Sequence, residues 1–430
     1  MIKTFHRTLT LATIGSLCLL APSLSHAASP SKSEIEQLKQ QVQQLMQQNQ
    51  QLSQRLSEME KNVQTQPASS QTFSKEDQAR HKSMIEEEVA RQVKEKGGGP
   101  SINEFVSLSG SIEGDYKLGK DFQGDHSSAF VLDTVDLIFD IKVTDWATGK
   151  IVVEYDGTEG NEDLYIDEAH ITLGKTENMP FFLTGGKIYA PFGDFSTNMI
   201  QDPLTQTLGE INAAGVIAGI EKAGFTASLF SYNGFGENSD PTDGDNDSIN
   251  GFGAALTYSY EAEDRGFKVG GAWVNNIGDS STITDYLEDG GTYSVFDQVS
   301  GLALFFGGNF KGFSLQTEYV TALDSFDVSE VAHGVDEAAV GAEPSAWNSE
   351  LAYTTAIMDK KTVFAVGYQK SWEAVALELP EHRYIASASI AIFDGTTLAF
   401  EFYHDEDYSL ADGGTDNSGH GFTTRLAYEF

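Results

Sequence analysis

The chain has one cysteine in 430 residues, Cys18, and it falls in a segment expected to be removed, which excludes disulfides and thiol chemistry from the mature protein. Beyond the N-terminal segment no stretch supplies the roughly 20 apolar residues of a membrane helix, and mean hydropathy is -0.28. Positive charge is scarce as well. Against 64 Asp and Glu stand 27 Lys and Arg, a net -37, which excludes nucleic acid as a partner. The nine histidines are scattered, and there is no HExxH, no GxSxG and no phosphate-cradling Gly-rich loop, so no enzyme and no cofactor are expected. A hydrolase barrel would have to draw on His170, His333, His404 or His420.

What the chain does have is glycine, 42 residues, and aromatics, 11%. The last twelve residues, Gly419 to Phe430, place Phe422, Leu426, Tyr428 and Phe430 among mostly polar neighbours. Period-two alternation sends one set of side chains to lipid and the other to a lumen, and a terminal aromatic suits the closing strand of an outer-membrane barrel. The N-terminus agrees: Lys3 and Arg7 precede an apolar run from Leu9 to Ala21, closed by Ser25-His26-Ala27. Residues 1–27 read as a signal peptide, with cleavage expected after Ala27. Leu17, before Cys18, is not the small residue of a lipoprotein site. Loss of Lys3 and Arg7 leaves 25 bases against 64 acids, or -39.

Residues 28–66 read as a coiled coil. Its a positions are Ile35, Val42, Asn49, Leu56 and Val63, and its d positions are Leu38, Leu45, Leu52 and Met59. A seam only two positions wide per heptad points to a homo-oligomer rather than a helix lying on its own barrel. The choice of a and d residues with one Asn fits a dimer, whereas porin-type barrels commonly form trimers. Residues 67–100 form a second helical segment and a linker ending in Gly97-Gly98-Gly99-Pro100, a flexible joint that places the helices in the periplasm.

Residues 101–430 read as an all-β transmembrane barrel of about sixteen antiparallel strands. Sixteen β-rich runs begin near Phe105, Phe130, Lys150, Leu164, Phe181, Ala214, Phe225, Ile249, Phe267, Phe296, Phe313, Trp347, Thr362, Arg383, Thr397 and Gly419. Long polar links, at 118–129, 157–163, 190–213, 234–248, 276–295, 323–346, 372–382 and 405–418, alternate with short ones such as Ala223-Gly224 and Lys311-Gly312. Long loops outside and short turns inside put both chain ends in the periplasm of a Gram-negative cell. The second strand shows the alternation most clearly, with Val131, Val135, Leu137, Phe139, Ile141 and Val143 expected to face lipid.

The same alternation nominates lumen-lining charges. The acids are Asp136, Asp140, Glu154, Asp156, Glu168, Glu318, Glu350 and Glu401; the bases are Lys142, Lys150, Lys187, Arg383 and Arg425. Opposed charges across water create a transverse field that sets ion preference. The third long loop is poor in bases and rich in apolar residues, which exposure would not require. Folding it inward makes Phe192, Asp194, Phe195, Asp202 and Glu210 constriction candidates. Four outer loops, 234–248, 276–295, 323–346 and 405–418, carry twenty acids and no Lys or Arg. Asp243, Asp245 and Asp247 alternate as calcium-loop ligands do, yet Ser248 and Ala254 stand where the turn Gly and bidentate Glu belong. Loose binding of Ca²⁺ or Mg²⁺, bridging to lipopolysaccharide, suits them better than a true site.

Four stretches carry a family resemblance: LDTVDLIFDIKVTDW from Leu132, LYIDEAHITLG from Leu164, KIYAPFGDFSTNMIQDPLTQTLGE from Lys187 and LFSYNG from Leu229. Over most of the mature chain the sequence resembles the siderophore-porin family typified by the legiobactin receptor of Legionella. That resemblance implies uptake of ferric siderophore across the outer membrane without the plug of an energy-coupled receptor. An acidic mouth attracts cations, so a general cation-preferring diffusion porin is the alternative. An envelope tether or adhesin is the third reading.

Overall fold

The computed structural model describes residues 105–157, 164–176, 179–234, 249–289, 298–335 and 338–430. The expected signal peptide, coiled coil and second helical segment lie outside these residues, as do Asp243, Asp245 and Asp247.

Sixteen antiparallel strands close into one barrel: β1 (Val106–Lys120), β2 (His126–Thr144), β3 (Ala147–Asp156), β4 (Leu164–Thr176), β5 (Met179–Tyr189), β6 (Asn212–Lys222), β7 (Phe225–Asn233), β8 (Ile249–Ala262), β9 (Arg265–Val274), β10 (Gly301–Phe310), β11 (Phe313–Ala322), β14 (Ser345–Ile357), β15 (Lys360–Trp372), β16 (His382–Phe393), β17 (Thr396–Glu406) and β18 (Ser418–Glu429). Each pairs with its chain neighbours, and β18 closes on β1. Two short segments, β12 (Ala332–His333) and β13 (Val340–Gly341), pair only with each other in the loop between β11 and β14. Closure leaves no sheet edge, which a membrane requires of strands.

At one end the connections are tight. Ala223-Gly224, Lys311-Gly312 and Met358-Asp359 all have positive φ at both residues, the primed turn geometry whose twist matches that of the flanking strands. Outward-facing residues are apolar and exposed, among them Leu108, Phe130, Leu229, Leu256, Leu304, Val366 and Leu426. An apolar exterior of this extent faces lipid. Aromatic pairs girdle both ends. Phe225 and Tyr258 at 4.5 Å and Phe313 and Tyr353 at 4.6 Å mark the short-turn end. Tyr368 and Tyr384 at 5.4 Å mark the other.

Two details of the expected strand plan change. The link expected at 118–129 is only 121–125, because β1 and β2 extend further than their apolar residues suggest. Val131 is not a lipid-facing residue. Glu113 pairs with Thr134 and Gly114 with Leu132, so Asp133 is an extra residue in β2. This bulge shifts the alternation by one, so that Phe130 and Leu132 face out while Val131 shares the inward face with its partner Asp115.

The hydrophobic core lies inside the barrel at the long-loop end. Residues 190–211, between β5 and β6, fold inward and contain helix α1 (Leu204–Gly209). Leu204 and Leu208 lie one turn apart and are both fully buried. The β9–β10 loop contributes helix α2 (Ser281–Asp289), whose Ile283 and Leu287 repeat the pattern. With Phe326, Val331, Ala374 and Leu377 from the next two loops, these side chains pack on the small inner-wall residues Ala272, Ala303, Val320 and Ala346. One side of the lumen is thereby filled.

Candidate functional site

The third loop is fixed to the wall by its backbone. Glu318 on β11 accepts the amides of Asp194 (2.7 Å) and Phe195 (3.1 Å) and the Thr205 hydroxyl (3.1 Å). Glu350 on β14 accepts the Asn198 amide (3.0 Å), the Asn198 side chain (2.6 Å) and the Thr197 hydroxyl (2.6 Å). Glu401 on β17 accepts the amides of Ile200 (2.5 Å) and Gln201 (3.1 Å). Between these strands, Gln369 on β15 accepts the Leu204 amide at 3.0 Å and Ser387 on β16 donates to the Asn198 carbonyl at 3.0 Å. Irregular backbone inside a barrel has no sheet partners, and a buried unpaired N–H is costly. Five wall strands in a row supply those partners, three of them through carboxylates, which make the stronger charge-assisted bonds.

This corrects the expectation for three acids. Glu318, Glu350 and Glu401 do point inward, but each is at most 5% exposed because the loop lies over it. They hold the constriction and do not line the water path. Three loop candidates are corrected likewise. Phe192 is buried in the core, Phe195 packs against it, and Asp194 is ion-paired with Lys268 on β9. The backbone turn between them needs Gly193, whose φ is +99° and whose Cβ would fall 2.4 Å from the Phe195 ring.

Asp202 and Glu210 take the other face of the loop. Together with Glu154 and Asp156 of β3, Asp167 of β4 and Asp285 of α2 they border a recess of about 570 Å³. Burial, and next the neighbouring Asp202, push the Glu210 carboxyl up to about 7. Burial also raises the Asp202 carboxyl. Lys187 lies in the same recess but donates to the Ile166 carbonyl at 2.8 Å.

Across the opening, Asp202 and Gln201 face a wall of Lys117, Arg383 and Arg425. These bases are already engaged. Arg425 contacts Glu113, Asp115 and Asp133, with its bonds to Asp115 at 2.8 and 2.9 Å. Lys117 reaches Asp133 at 2.6 Å, and Arg383 makes a bidentate pair with Asp405 at 2.8 Å. Asp405, counted from the sequence among the mouth acids, is thus part of the inner wall. Nearer the short-turn end Lys150 pairs with Glu168 at 2.5 Å, with His170 3.4 Å from the same carboxylate. Exposed Lys142 pairs with Asp145 of the adjoining turn at 3.1 Å. Asp136 accepts from the Ser111 hydroxyl, and Asp140 stays exposed beside Lys150 and His170.

Two inward acids escape the sequence pattern for one reason. Asp133 and Asp167 are each the extra residue of a β-bulge, the second arising because Val152 pairs with Glu168 and Val153 with Ile166. Strict alternation puts Asp133 on the wrong face. In the structure Asp133 joins Arg425, while Asp167 accepts from Tyr189 at 2.7 Å and from Asn212 at 3.0 Å.

No family model matches the chain. A UPF0422 protein of Coxiella burnetii is 27% identical over 312 residues, 71% of this chain and 65% of that protein. A UPF0422 protein of Legionella pneumophila is 24% identical over 337 residues, 74% of this chain and 62% of that protein. The chain therefore spans a little under two thirds of the length of these relatives. Among solved structures it is similar in fold to OprB of Pseudomonas putida, with a TM-score of 0.53 and 9% identity over 76% of this chain and 95% of that one. It is similar also to the outer membrane channel DcaP of Acinetobacter baumannii, with a TM-score of 0.50 and 16% identity over 76% of this chain and 97% of that one. The fold is that of outer-membrane porins.

Proposed function

We propose that the protein is a diffusion channel of the outer membrane that passes small polar solutes and prefers cations. The observation that carries this reading is the inward third loop, stitched to five wall strands, with acids on its open face and with the opposing bases held in ion pairs. Arg425 and Lys117 together face three carboxylates, so that cluster keeps a net charge of -1 (two bases against three acids). A cation entering the recess meets an attractive potential that those bases do not cancel. Reversal potential across a planar bilayer under a KCl gradient tests this directly. Cation preference is expected, and either anion preference or absence of conductance sinks the reading.

Facilitated uptake of ferric siderophore is the second reading. It is supported by the resemblance carried by the stretches from Leu132, Leu164, Lys187 and Leu229, and the third of these supplies the constriction loop itself. Deleting the gene and measuring uptake of labelled ferri-siderophores separates it from general diffusion, since unchanged uptake of every one tried removes it. Association of two or three copies through heptads 28–66 belongs to the same proposal, and the mass of the full chain in detergent gives the number.

A further inference from the structure

Four of the six histidines among the described residues gather on the outer surface of the long-loop end. His404 on β17 pairs with His420 on β18, His420 with Lys120 on β1, and Lys120 with His126 on β2. Cross-strand partners share a face, so the four side chains form a single row about 4.8 Å apart per strand. That face is the lipid side. Phe402 and Phe400 precede His404 at two-residue steps, Phe422 follows His420, and Leu118 precedes Lys120, all exposed, whereas Asp405 beside His404 is buried in the inner wall.

The row continues as rings. Tyr384 pairs with His404 and stacks on it at 6.5 Å, and Tyr368 lies against Tyr384 with its ring tilted and meets His382 Nδ1 through its hydroxyl at 2.8 Å. At that flank charge is balanced locally, because Lys370 pairs with Glu381 at 3.2 Å and Glu406 stands opposite His382. Toward β1 it is not. Lys120 has no carboxylate at ion-pair distance among the described residues, and Asp121 of the adjoining turn is occupied with the Asp125 amide. The girdle at the short-turn end, built from Phe225, Tyr258, Phe313 and Tyr353, uses no histidine in these pairs.

We propose that His404, His420, Lys120 and His126 form a binding site for the phosphorylated head group of a glycolipid in the outer leaflet. Imidazole and ammonium groups donate to phosphate oxygens, and the row lies between lipid-facing rings and loops, at the depth where head groups sit. Of the acids in the loop that joins β17 to β18 beside the row, Asp407 accepts from Thr415 and Asp412 from the Ser409 hydroxyl within the loop itself, which leaves the donors of the row to meet the phosphate. The inference goes beyond the channel reading and rests on its outer-membrane placement, yet its assay does not depend on conductance.

The test is native mass spectrometry of the full chain in detergent, titrated with a bis-phosphorylated lipid A and with the same lipid after phosphatase treatment. Wild type is expected to retain the phosphorylated form preferentially. The combined variant K120Q/H404Q/H420Q is expected to lose that preference by roughly tenfold or more, as the loss of charge-assisted contacts implies. Lys360→Gln, at the short-turn end over the Phe393 ring, should bind as wild type. Heat-modifiable migration of the same preparations on SDS gels certifies a folded barrel, and Lys120→Gln alone serves if the triple variant does not fold. Equal retention of both lipids by wild type, or an unchanged preference in the variant, overturns the proposal. So does a variant that changes only the number of associated copies, which would make the row a contact between protomers.

Discussion

Replacing Glu350 with Ala should release the middle of the constriction loop while leaving the barrel intact. The carboxylate is 2% exposed and accepts from three donors, the Asn198 amide, the Asn198 side chain and the Thr197 hydroxyl, at 2.6 to 3.0 Å. A donor left buried without an acceptor costs about 1–3 kcal/mol. Three such losses would total about 3–9 kcal/mol, but water can enter the space next to the lumen, and removing a buried charge returns some desolvation energy. A net weakening of loop docking by about 2–4 kcal/mol remains. Glu318, Glu401 and Gln369 still hold both flanks, so the opening should be confined to residues around 197–199.

Local opening of that size accelerates exchange of the Asn198 amide roughly 30- to 700-fold, at about 1.4 kcal/mol per decade. Hydrogen exchange in detergent micelles measures it peptide by peptide, and single-channel recordings should show added current noise as the segment moves. Glu350→Gln, which keeps one acceptor oxygen, should lose only about 1 kcal/mol. Exchange at Asn198 within threefold of wild type in the alanine variant would refute the claim that this carboxylate holds the loop.

Arg425→Gln leaves Glu113, Asp115 and Asp133 facing Lys117 alone. It should lower resistance of the barrel to unfolding by about 3–5 kcal/mol, as losing one partner of a buried ionic cluster does, and raise cation preference; an unchanged unfolding midpoint together with unchanged reversal potential contradicts the assignment. Channel selectivity should depend on pH through Glu210 and Asp202, both raised by burial. A raised carboxyl favours the docked loop while protonated, so docking is firmest below the ordinary carboxyl range and weakens as pH rises through about 7, while the charge gained strengthens cation preference over that interval. Flat selectivity between about pH 5 and pH 8 would remove these two residues from the electrostatics of the opening.

Much of this architecture is legible in the chain because barrels advertise themselves by period. Phe400 and Phe402, and again Leu426, Tyr428 and Phe430, repeat at two-residue steps, and turns such as Lys311-Gly312 interrupt the repeat where the strands reverse. The inward fold of the third loop is legible too, since Phe192, Leu204 and Leu208 have no reason to be apolar in water. What alternation lacks is any signal for a bulge. Nothing in the run around Asp133 or Asp167 announces an extra residue, so the partner Asp133 gives to Arg425 is visible only in the register. Burial is the second gap. Glu154 and Glu401 occupy equivalent inward positions of their strands, and only the path of a loop some 200 positions away in sequence separates a pore-lining acid from a hidden acceptor.

That distinction divides the inward acids into two sets with opposite expected phenotypes. Glu318, Glu350 and Glu401 are screened from the channel by the loop they hold, and their charge is directed at its amides. Glu210 and Asp202 line the recess, which under the proposed channel reading is where an ion would meet their charge. Glu401→Gln should therefore change loop stability and current noise with little effect on reversal potential. Glu210→Gln should shift reversal potential toward lower cation preference, most visibly above pH 7 where the native carboxyl is charged, with the loop held more firmly than in wild type over that range. If the wall variants instead moved selectivity as much as the loop variant, the loop would have to stand away from β11, β14 and β17 in the conducting state. The constriction would then be a gate and not a fixed eyelet.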